Sequence, residues 1–177
     1  MSAHGTYITH DGRPAVRFER RLAHPVDAVW RVVTEPAELA RWFPSEVAVD
    51  LRPGGAMRFT FAPDAVYDGE VVELDPPHRF AFLWGADLLR FELAPDGDGT
   101  RLTMLHVLRE EGEDAAAKTA AGWHVCLDAL QSRLAGGHDG PAPGGPTPEW
   151  REHYDHYVAA GLPAGAAVAG SDTARTA

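Results

Sequence analysis

Hydrophobic and polar positions along the chain change period three times, and each change marks a new kind of element. Val16–Leu22 (VRFERRL) puts Val16 and Phe18 on alternate positions, with Arg20 continuing less cleanly, and predicts a first strand. Pro25 suits the first position of a helix, after which Val26, Val29, Trp30 and Val33 recur on one helical stripe. Pro36 restarts that pattern, and Leu39, Trp42 and Phe43 give a second short helix stopped by Pro44. From Glu46 the period is two. Val47, Val49 and Leu51 alternate with polar residues, and a turn at Arg52–Gly55 leads to Met57, Phe59 and Phe61 on one face. Val66–Leu74 follows, with Gly69 as a candidate bulge, and then Phe80, Phe82 and Trp84 after the breaker Asp75-Pro76-Pro77. Leu89, Phe91 and Leu93 come next, and beyond the Asp96–Gly99 hairpin signal Leu102, Met104, His106 and Leu108 share a face. Over Glu113–Ala135 the pattern is helical again, with Trp123, Cys126, Leu127, Leu130 and Leu134 as its apolar stripe and Gly136-Gly137 as its stop.

These elements read as α+β in the order βαα-ββββββ-α, a curved antiparallel meander with one long helix. One amphipathic helix does not fill a wide concave sheet by itself, so the arrangement favours a cleft between them, lidded by the two short helices. The remainder of the chain has a different texture. Residues 136–148 (GGHDGPAPGGPTP) hold nine Gly or Pro in thirteen positions and read as a linker. In residues 149–161, entered through Thr147 and Pro148, Trp150, Tyr154, Tyr157 and Val158 form an aromatic stripe on a short helix. Residues 162–177 offer little to bury and read as a disordered tail. The domain plan is therefore a folded unit over 1–135, a linker, a helix that docks on its own domain or on a second copy, and a loose end.

Composition narrows the partners. Of 177 residues, 16 are Lys or Arg and 26 are Asp or Glu, a formal charge of −10 that disfavours nucleic acid and anionic membrane. The acidity is not a tail property, because residues 1–135 already carry 14 basic and 21 acidic groups. A single cysteine, Cys126, rules out an internal disulfide and any multi-cysteine metal site. Neither a membrane-spanning run nor a signal-peptide pattern is present, so a cytoplasmic setting is expected.

Several segments in order resemble a known family: PVDAVW (25–30), EPAELARWF (35–43), DLRPGGAMRF (50–59), GEVVELDPPHRFAFLW (69–84), GTRLTMLH (99–106) and GWHVCLDAL (122–130). Together they resemble the START-like, birch-pollen-allergen-like (SRPBCC) superfamily, and within it the bacterial homologues of the heat-shock-protein ATPase activator domain. The resemblance implies a helix-grip fold with an internal apolar cavity that takes small hydrophobic molecules. A minority of such proteins catalyse cyclisation or dehydration.

Against that background the aromatic residues carry the densest signal. Phe59, Phe61, Phe80, Phe82, Trp84 and Phe91 fall on shared strand faces, and core packing accounts for such residues as readily as a ligand pocket does. The expected ligand-lining set is Trp42, Phe43, Phe59, Phe61, Phe82, Trp84, Phe91, Met104, His106 and Trp123, with Trp42, Phe43 and Trp84 placed at the mouth. His106 points inward, either as a core histidine bonded to a partner or as polar recognition or acid–base chemistry with Asp68 or Glu70. His124 reads as an exposed neighbour of Trp123, and His153 and His156 as a solvated face rather than a metal pair. No cofactor and no metal is expected. Binding of a small hydrophobic molecule without covalent chemistry is the expected function. The alternatives are a cyclase or hydrolase built on His106, and an interaction protein acting on a chaperone ATPase.

Overall fold

The computed structural model describes residues 4–109, 112–137 and 146–168. Its elements are β1 (Thr6–His10), β2 (Arg13–Leu22), α1 (Val26–Thr34), α2 (Pro36–Leu39), β3 (Glu46–Val49), β4 (Ala56–Ala62), β5 (Ala65–Asp75), β6 (Arg79–Trp84), β7 (Asp87–Asp96), β8 (Gly99–Val107), α3 (Ala116–Leu134) and α4 (Pro148–Ala159). All strand pairs are antiparallel, and they make one open eight-stranded sheet in the order β1-β2-β8-β7-β6-β5-β4-β3. The long helix α3 lies against the sheet, giving the helix-grip arrangement.

The strand β1 adds to the expected order. It pairs with β2 through a tight turn at Asp11 (φ 48°) and Gly12 (φ 75°), the left-handed pair that an Asp-Gly hairpin supplies. As an edge strand with no fully buried residue, it lacks the clean alternation that reveals a half-buried one. Gly69 does not form a bulge. It pairs regularly with Met57 and with Trp84, while the register shifts fall at Thr60/Ala62 and Val71/Glu73. The glycine is there for closeness: a Cβ on it would lie 2.1 Å from the Leu83 carbonyl and 2.8 Å from the Phe59 ring.

The register sets the interior. Phe18 opposes Met104, Met104 opposes Phe91, and Phe91 opposes Phe80, so one line of apolar side chains crosses four strands toward α3. The other side of that layer is the small-residue start of α3, where Ala116, Ala117, Ala120 and Ala121 are fully buried. Cys126 is buried in the same helix, and burial pushes its thiol up to about 12, which makes it inert.

Two expectations beyond α3 change. The segment after α4 is ordered as far as it is described. Leu162 and Ala166 pack on the core, the Pro163 carbonyl accepts from Ala117 N–H at 3.0 Å, and Gly165 and Ala166 donate to the Asp114 carbonyl. Apolar contact and backbone pairing hold residues 162–168 where composition reads as a loose end. Residues 138–145 of the linker and 169–177 lie outside the described residues.

The helix α4 docks on α3 of its own chain. The Thr147 hydroxyl caps it by accepting from Trp150 N–H at 3.1 Å, and the Trp150 indole lies over Gly122 of α3 and stacks on Tyr154. Tyr157 is fully buried, and its hydroxyl accepts from Gly5 N–H at 2.8 Å and bonds His124 Nδ1 at 2.8 Å. Of the two docking surfaces expected for the stripe, its own domain or a second copy, the first is the one seen, with Tyr157 buried and Trp150 and Tyr154 partly covered. His124 is correspondingly not an exposed neighbour of Trp123: α4 covers it, leaving it 1% exposed. Its ring stacks on His153 at 3.8 Å, and His4 stacks on His156 at 3.9 Å, so the two α4 histidines face partners rather than only solvent.

Candidate functional site

The space between sheet and α3 is occupied by a continuous stack of rings. Phe43, carried in by the turn after α2, is its hub, with ring centroids 6.0 Å from Phe59, 6.4 Å from Phe82, 5.6 Å from Trp84 and 5.5 Å from Trp123. Phe82 extends it to Phe91, and Met104 opposes Phe91 from β8. Each of these rings buries apolar area that stabilises the fold by roughly 1.5–3 kcal/mol. Edge-to-face and offset contacts among them add direction to that burial.

Trp42 and Phe43, expected at a mouth, are instead fully buried. The Trp42 indole donates to the Val32 carbonyl at 2.9 Å and fastens α1 to the segment after α2. The open end of the stack lies at the β4–β5 hairpin. Phe61, expected on an interior face, is 40% exposed because its strand runs past the end of β6. Its ring lies 5.5 Å from Trp84 at an interplanar angle of 10°, and Tyr67, 52% exposed, meets it edge-on at 5.8 Å. Tyr67 is the site residue that the sequence reading misses. It opposes Phe59 in the β4–β5 register, which puts it on the stack's side of the sheet, a pairing visible only once the hairpin is aligned.

His106 lies inside, 6% exposed, with an arrangement that differs from the one expected. Asp68 is exposed and faces Arg58, and Glu70 is exposed on β5. The carboxylate beside His106 is Asp87, with Oδ2 2.8 Å from Nε2, while Asp87 Oδ1 accepts from Arg109 N–H at 2.7 Å. The other ring nitrogen, Nδ1, accepts from the Trp123 indole N–H at 2.8 Å. An indole only donates, so Nδ1 bears no proton and Nε2–H donates to Asp87. Both in-plane positions of the imidazole are thereby used. Asp87 opens β7 directly after the Gly85-Ala86 turn, paired with Trp84, and in sequence it reads as a turn former, which hides its role.

The comparisons agree on the architecture. The family described as Activator of Hsp90 ATPase homolog 1-like protein matches residues 23–135, more than half of the chain. CalU16 from Micromonospora echinospora is similar at 26% identity with a TM-score of 0.70, over 89% of this chain and 90% of that one. EF2215 from Enterococcus faecalis, a conserved protein of unknown function, is similar in fold at 21% identity and a TM-score of 0.70, over 88% and 89% of the two chains. DynU16, a protein of the dynemicin biosynthetic locus, is similar at 27% identity with a TM-score of 0.62, over 68% of this chain and 47% of that one. No curated protein matches the chain.

Proposed function

Given that the chain belongs to the Activator of Hsp90 ATPase homolog 1-like family, we propose that it binds a small, flat, apolar molecule at the outer end of its aromatic stack, without covalent chemistry. The observation that carries this reading is the parallel pair Phe61 and Trp84, with Phe61 40% exposed and the stack continuous behind it through Phe59 and Phe43. A wet ring face backed by a rigid apolar column favours a planar guest, since burying it gains about 25 cal/mol per Å² of apolar surface. Stacking adds ~0.5–1.5 kcal/mol per ring pair. The likeness to DynU16, from a biosynthetic locus, is in keeping with a biosynthetic small molecule as the guest.

Acid–base chemistry at His106 is the second reading, and the 2.8 Å contact with Asp87 favours it. It requires Trp123 to release Nδ1, because in the present geometry neither ring nitrogen is open to a substrate. The test is a titration of the full chain with 1-anilinonaphthalene-8-sulfonate, followed by tryptophan emission. A saturable response that weakens at least about tenfold in Phe61→Ala supports binding at the stack's outer end. No saturable response, or one indifferent to Phe61→Ala, removes it. Native mass spectrometry of protein from its own host then identifies the retained molecule.

A further inference from the structure

A second constellation lies away from the aromatic stack, where α4 crosses α3. His124 and Asp128 stand one turn apart on α3, and His153 approaches from α4. One ligand atom from each lies within 4.8 Å of the others, and His124 Nε2 is 3.6 Å from Asp128 Oδ2. That distance is too long for a hydrogen bond, so the two groups face each other across a gap rather than closing it. His124 is oriented from behind, where Nδ1 is bonded to the Tyr157 hydroxyl and that hydroxyl is itself fixed by Gly5 N–H. Arg20 approaches the other carboxylate oxygen of Asp128, Oδ1, at 3.8 Å.

We propose that His124, Asp128 and His153 bind a divalent late first-row transition cation, with zinc as the reference ion, and that the ion clips α4 to α3. Two imidazoles and one carboxylate are the donor set of an open tetrahedral zinc site, with water in the fourth position. Calcium and magnesium, which prefer oxygen donors throughout, fit it poorly. The Tyr157 hydroxyl supplies the outer partner that a ligating histidine needs on its second nitrogen, and it can accept from Nδ1–H when Nε2 binds metal. The rings of His124 and His153 lie face to face, 14° apart. A turn of His153, half-buried on the outer helix, out of that stack brings its ring nitrogen onto the ion.

The experiment uses the untagged full chain, stripped with chelator and dialysed, then titrated with zinc against a chromophoric indicator while the melting temperature is followed. One zinc per chain and a rise in melting temperature are expected. Cobalt should give the visible absorption of a tetrahedral complex. His153→Ala, on the outer helix and therefore tolerated by the fold, should weaken zinc binding by more than about tenfold and abolish the thermal shift. Tyr157→Phe should weaken it by about 10–100-fold, as loss of an outer-shell partner does. His156→Ala, one turn away on the same helix, should leave it unchanged. The proposal fails if zinc does not bind, if His153→Ala binds as wild type with native circular dichroism, or if magnesium raises the melting temperature equally.

Discussion

His106 on β8 and His124 on α3 are both buried, and each has an aromatic partner and an aspartate. Around His106 the two contacts are both 2.8 Å, to Trp123 and Asp87. Around His124 the contact to Tyr157 is also 2.8 Å, but the aspartate stands off at 3.6 Å and a second imidazole stacks alongside. The difference lies in what remains to be satisfied. A buried histidine bonded at both nitrogens braces strand against helix, and its chemistry is already spent inside the protein. A histidine held at one nitrogen and merely approached at the other keeps a directed lone pair for something else.

The largest expected effect breaks the open histidine's surroundings. Tyr157→Ala removes a buried ring and both hydroxyl contacts, and should cost about 3–5 kcal/mol in urea unfolding while freeing α4. Acid titration should come next. His124 is pushed down to about 4 in the folded chain, against 6.5 unfolded, so between these values the unfolded state binds the extra proton. In chelator-treated protein its contribution is therefore intact above about pH 6.5 and should fall by on the order of 2–3 kcal/mol as the pH drops toward 4. His4, also lowered, acts in the same direction. Denaturant midpoints of wild type and His124→Asn across that range check it, since the variant should lose most of the slope. Trp123→Phe tests the closed histidine: it leaves Nδ1 of His106 without its donor and should cost ~1–3 kcal/mol with zinc affinity unchanged. The smallest effect on stability belongs to Phe61→Ala, within about 0.5–1 kcal/mol because the ring is 40% exposed, and it should be read in probe binding instead.

The same contrast explains what the sequence discloses. Periods of two and 3.6 reveal β3 to β8, α1 and α3, because each buries one face and the pattern records it. The inward direction of His106 follows from its register with Leu102 and Met104. Its partner does not, because Asp87 stands where the Gly85-Ala86 turn enters β7, a place where an aspartate is expected for local reasons. α4 is visible from Thr147, Pro148 and its aromatic spacing, yet its docking depends on pairs such as His124 with Tyr157, 33 positions apart. A helix with an aromatic stripe does not say which surface covers it, so the histidines beneath and upon it look solvent-facing until the two helices meet. Phe61 misleads for the opposite reason. It alternates cleanly in sequence, but the register shift at Thr60/Ala62 falls on it, and the hairpin outruns β6, so no interior is left there.

The passage after α4 carries one more consequence. The first residues of α3 have no side-chain cap, and the N–H of Ala117 is taken by the carbonyl of Pro163. The start of this helix is therefore finished off by a residue 46 positions beyond Ala117 in sequence. A chain shortened after Gly161 would keep every residue of α4 and still expose that amide to water. Its hydrogen–deuterium exchange would accelerate at the start of α3, and a protease would find the preceding Gly112–Ala115 segment newly accessible, far in sequence from the cut that caused it.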